Sequence, residues 1–195
     1  MSRVLFVSLV LAASFAQATT LLSLDLPALT KGSGAIVRGV VKSNAARWTK
    51  DGGRIMTDTV IEVSETWKGA PTKELIVMQP GGEVGDVGQL VHGTVKFKVG
   101  EEVVLFLESR TERFLLTGMV QGRFKVERSS DGKATFARQE LDGEALYLDP
   151  STHQPVGGTG LTLTLDQLRA QVLALSGQTA PVEPTRPTVA PKVTP

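Results

Sequence analysis

Arg54–Trp67 reads RIMTDTVIEVSETW, and Val103–Leu107 reads VVLFL. In the first stretch Ile55, Ile61, Val63 and Trp67 fall on one side of an extended chain, with Asp58, Glu62 and Ser64 on the other. A period of two carried by β-branched residues predicts a half-buried strand. The second stretch is apolar on both sides, which predicts a strand covered on both faces.

Working outward, Ala35–Ser43 (AIVRGVVKS) predicts a strand that pairs with the first stretch through the turn Lys50-Asp51-Gly52-Gly53. Glu74–Gln79, Phe114–Val120, Arg123–Glu127 and Lys133–Arg138 read as further short strands, the last closed by Asp131-Gly132. In Arg123–Glu127, Phe124 and Val126 are expected to point one way, and Arg123, Lys125 and Glu127 the other. Repeated short strands with turns between them predict an all-β barrel or small sandwich. One helix is expected near the C-terminus. Thr164-Leu165-Asp166-Gln167 has the form of a capping box, Leu163 and Leu168 stand where a hydrophobic staple would, and Gly177 suits the far end. Its predicted apolar stripe is Leu165, Leu168, Val172 and Leu175.

The ends differ from the middle. Met1-Ser2-Arg3 is a short positive segment, Val4–Phe15 is nearly all apolar, and Ala16-Gln17-Ala18 is a small-x-small cleavage pattern. This order predicts a signal peptide over 1–18, cut after Ala18, and a secreted or periplasmic mature protein. No later stretch approaches the roughly 18 apolar residues of a membrane span, so no transmembrane segment is expected once the leader is removed. Residues 19–34 read as a lead-in, 35–148 as the β-domain, 149–177 as a loop with the capped helix, and 178–195 (QTAPVEPTRPTVAPKVTP) as a disordered proline-rich tail.

Net charge is +1, and there are no cysteines among the 195 residues. A near-neutral chain without a basic stripe argues against sequence-independent nucleic-acid binding. Lack of cysteine removes thiol nucleophiles, disulfides and thiolate metal sites.

Pro80–Gly93 (PGGEVGDVGQLVHG) is rich in glycine but lacks the Lys-Ser/Thr ending of a phosphate-binding loop. It reads as a long surface loop. Glu83, Asp86 and His92 lie in it and are the nearest approach to an acid–base or metal cluster. Ser43, Ser64 and Ser109 complete a nucleophile list on paper, but none sits in a G-x-S-x-G elbow. Trp48, beside Arg47 and Lys50, reads as exposed. Trp48, Glu83, Asp86 and His92 together form the candidate partner surface, with no metal or cofactor expected.

Ile36-Val37-Arg38-Gly39-Val40-Val41, the strand end Val63-Ser64-Glu65-Thr66-Trp67-Lys68-Gly69, Leu75-Ile76-Val77 and Val99-Gly100-Glu101-Glu102-Val103-Val104-Leu105-Phe106 together resemble the netrin-like (TIMP-like) OB-fold domains of exported proteins. The resemblance covers about residues 35–108. It implies an OB-like five-stranded barrel with additions and a binding role. The cysteine through which animal inhibitors of that group chelate a protease zinc is missing, so that mechanism does not transfer. The expected function is thus a non-catalytic exported module binding an unknown protein or envelope partner. A cell-envelope hydrolase using the carboxylates and His92, and a structural envelope component, stand as alternatives.

Overall fold

The computed structural model describes residues 19–70 and 72–177; the expected leader and tail lie outside them. The elements run β1 (Thr20–Leu22), α1 (Leu26–Gly32), β2 (Ala35–Trp48), β3 (Ile55–Lys68), β4 (Glu74–Pro80), β5 (Gly82–Val84) and β6 (Val87–Gln89). They continue β7 (Glu102–Arg110), β8 (Arg113–Leu116), a 3-10 turn (Met119–Gly122), β9 (Arg123–Arg128) and β10 (Thr135–Gln139). The chain ends in β11 (Leu146–Leu148), β12 (Pro155–Val156), β13 (Thr162–Thr164) and α2 (Leu165–Leu175). The fold is all-β and barrel-like, with a C-terminal helix.

Strand order explains the barrel. β2, β3 and β4 are joined by successive hairpins, and β7 returns after a long connection to lie beside β2. That is a Greek key. β7 also pairs with β8, and β8 meets β4 in parallel at Val77 and Phe114, so β2-β3-β4-β8-β7 form a ring. β9 continues past β8 along the same edge of β7, and β10 and β13 extend that wall outward.

Because β7 belongs to both the ring and the extended wall, its two faces are buried differently. Val103, Leu105 and Leu107 point into the ring with Val37, Ile61, Leu75, Val77 and Leu116. Val104 and Phe106 face the helices, packing with Leu29, Ile36, Trp67, Phe124, Leu168 and Val172. The two-sided apolar run is therefore a central strand between two cores.

The alternation in β3 breaks where the sequence shows no break. Ile61 and Val63 pack in the ring core, but Trp67 packs in the helix-side core. Pairing jumps from Gly39↔Val63 to Arg38↔Glu65, leaving Ser64 as an extra residue. One bulged residue reverses the side on which the following side chains emerge. The Ser64 hydroxyl donates to the Arg38 carbonyl at 3.1 Å within this irregular stretch. Close to the bulge only glycine fits at 39: a Cβ there would lie 2.4 Å from the Glu62 carbonyl oxygen.

The lead-in is structured. Asp25 caps α1 by accepting from the Ala28 amide at 2.8 Å, and Pro27 occupies the first turn. Leu26 and Leu29 of this helix enter the helix-side core. At the other end both halves of the capping box on α2 are present. Leu165, Leu168 and Val172 are buried as expected, but Leu173 joins them while Leu175 is 48% exposed. Buried residues at 165, 168, 172 and 173 make a wider stripe than the predicted one. Leu168→Ala removes a fully buried side chain from it and should destabilise the domain by about 2–4 kcal/mol, measured by urea titration.

Candidate functional site

The connection between β4 and β7 carries the site. Its first part is not one loop, since β5 and β6 pair as a small hairpin. The hairpin is tied to the far arm of β2 and β3. The Gly81 amide donates to the Ile55 carbonyl, the Thr57 hydroxyl donates to the Gly81 carbonyl, and the Ile55 amide donates to the Gln89 side chain.

Its second part, residues 90–98, turns at His92 and Gly93 and then runs along the barrel without joining the sheet. Val95 and Phe97 are buried in the ring core, while Lys96 and Lys98 are exposed. Side chains hold this segment in place of a strand ladder. The Gln79 amide group donates to the Val95 carbonyl and accepts from the Val95 amide. Asn44 donates to the Phe97 carbonyl at 3.0 Å and itself accepts from Thr59. At the start of the segment, Gly93 takes φ +82, its carbonyl accepts from Val120, and its amide donates to Asp142 at 2.6 Å.

A cleft opens on each flank. One of about 740 Å³ lies toward the β2–β3 arm, lined by Asn44, Thr57, Gln79, Glu83, Gln89 and Phe97 among others. The other, about 430 Å³, lies toward β9, with His92, Lys96, Lys98, Glu101, Arg123 and Glu140 in its walls. Leu90, Val91, Thr94, Val95 and Lys96 border both. Volumes of this order suit small-molecule or short-chain ligands.

The predicted partner residues scatter over this region. Trp48 ends β2 and is 40% exposed. Glu83 lines the larger cleft, Asp86 sits at the exposed tip of the β5–β6 hairpin and lines neither cleft, and His92 lines the smaller one. Among the described residues no group of three His, Asp or Glu side chains is placed to hold a metal. His92 approaches Asp142 rather than Glu83 or Asp86, with Nδ1 3.8 Å from the carboxylate. Burial works to raise the Asp142 pKa, but the amides of Gly93 and Glu144 and the nearby His92 outweigh it and hold it below the usual carboxylate range. The Tyr147 hydroxyl accepts from the Asp142 amide, and burial pushes that phenol up, keeping it neutral. Asp142 thus pins the start of the segment. The one hydroxyl of residues 90–98, that of Thr94, donates to the Val91 carbonyl.

Arg123, on the face of β9 opposite Phe124 and Val126, is only 6% exposed. It pairs with Leu105, an inward residue of β7, so its side chain lies on the ring side, at the floor of the smaller cleft. There Nη2 donates to Glu101 at 2.8 Å and Nη1 to Glu140 at 2.6 Å.

No family model matches the chain, and no curated protein matches it. What the clefts do must be read from their own geometry. No helix among the described residues is long and apolar enough to cross a membrane.

Proposed function

We propose that the chain is an exported, non-catalytic binding module with an OB-like barrel of the netrin-like kind, and that its partner lies along residues 90–98. One observation carries this reading: a segment outside the sheet is anchored by buried Val95 and Phe97, yet has an open cleft on each side. The Lys96 amide and carbonyl make no hydrogen bond among the described residues, so polar backbone is presented beside exposed cations. The Greek-key ring closed by a parallel pair supports the OB-like assignment.

Two measurements test the reading. Intact mass of the exported protein should begin at Thr19; recovery of uncut chain in the cytoplasm alone would refute export. A photo-crosslinking residue at position 96 should capture a discrete partner in the native envelope. The same residue at position 171, exposed on α2, should capture none. Equal labelling from both positions, or none from 96, would remove the proposed surface.

A further inference from the structure

The smaller cleft is built around a buried cation whose partners are unequal. The side chains of Arg123 and Glu101 are each 7% exposed, whereas that of Glu140 is 48% exposed. A guanidinium offers five donor hydrogens. Arg123 uses two of them, on the two carboxylates, and its Nε is buried without a partner. Such a group has donor capacity to spare, and leaving it unfilled in a low-dielectric wall is costly.

Glu101 is fixed, because its other oxygen accepts from the Lys98 amide at 2.9 Å. Glu140 has no second hydrogen bond from its carboxylate among the described residues. It is a solvent-facing carboxylate on a buried arginine, at the edge of a cavity of about 430 Å³. Around the same cavity Lys96 and Lys98 are exposed and have no carboxylate partner among the described residues, while Lys125 pairs with Glu127. The site therefore has a carboxylate-shaped position on Arg123, an internal carboxylate that can leave it, and two unengaged cations at the rim.

We propose that this cleft binds a carboxylate-bearing ligand, one carboxylate of which takes the place of Glu140 on Arg123 while Lys96 and Lys98 hold further negative charge. The inference rests on the binding-module reading and names its ligand chemistry. A planar carboxylate is favoured over a point anion because charge-assisted bonds to a guanidinium reward its geometry. An acidic peptide and an acidic glycan both supply that group.

Calorimetric titration of the mature protein with hexaglutamate, with trigalacturonate and with inorganic phosphate tests the proposal. Saturable one-to-one binding of either carboxylate probe is expected, and which of the two binds identifies the source. Glu140→Ala and Glu140→Gln should each tighten that binding by about fivefold, since they remove the internal competitor. Lys96→Ala with Lys98→Ala should weaken it by about tenfold. Glu144→Gln removes the same charge from the neighbouring turn without touching Arg123 and should leave affinity unchanged. Absence of saturable binding, equal binding of phosphate, or equal gains from Glu140→Gln and Glu144→Gln would overturn the proposal. A partner still captured from position 96 in that event would leave the binding-module reading standing.

Discussion

Phe106→Ala is expected to destabilise the domain by about 3–5 kcal/mol, seen as a lowered urea midpoint with an unchanged slope. Phe106 is 0% exposed. Its ring lies 5.5 Å from that of Phe124, tilted by 44°, a favourable arrangement for two aromatic quadrupoles. Truncation loses the transfer free energy of the ring, and the space it leaves cannot readily close. β7 is bonded to β2 on one edge and to β8 and β9 on the other, so the backbone beneath residue 106 is held from both sides. The helices above are fixed by their own caps and by Leu29 and Leu168 in the same core. A control at Val99, which is 66% exposed, should change stability by no more than about 0.5 kcal/mol. Equal effects at the two positions would mean that the helix-side core does not hold the fold.

What the sequence made legible was local. Val103–Leu107 announces a two-faced strand because burial on both sides leaves no polar residue in the run. Thr164 and Gln167 announce α2 because a capping box is complete within four residues. The side on which Trp67 emerges was not legible, because an inserted residue at Ser64 shows only in the partner strand's register. α1 carries a readable signal, Asp25 followed by Leu26-Pro27, but one short helix ahead of a strand-rich region reads only as lead-in.

The site was harder still, since its members are joined by topology alone. Gly93 and Asp142 are 49 residues apart and meet because β9, β10 and the turn after them fold back over the start of the segment. Grouping Glu83, Asp86 and His92 by proximity in sequence failed because the β5–β6 hairpin carries the first two away from His92. Arg123 alternates with Phe124 as a strand should, and the pattern itself was sound. The pattern does not reveal that the opposite face, at this end of β9, is the floor of a cleft.

Glu101→Ala should cost about 3–5 kcal/mol, although it deletes a charged residue from a segment full of glycine and lysine. Most carboxylates in such a place form surface pairs worth at most about 1 kcal/mol. This one differs because both it and Arg123 have side chains only 7% exposed, with Nη2 to Oε2 at 2.8 Å. Removing it leaves a desolvated guanidinium with Glu140 as its sole acidic partner among the described residues, and that carboxylate is 48% exposed and screened by water. It also frees the Lys98 amide, which the second oxygen of Glu101 accepts. Glu101→Gln keeps an acceptor for that amide and so should cost less than Glu101→Ala. The decisive variant replaces both partners, Glu101→Leu with Arg123→Met. With no charge left unpaired, much of the lost stability should return, because a buried ion pair repays little beyond its own desolvation. Urea titration of the two single variants and the double variant closes a thermodynamic cycle. A single substitution costing under about 0.5 kcal/mol would place Arg123 in water rather than in the wall of the barrel.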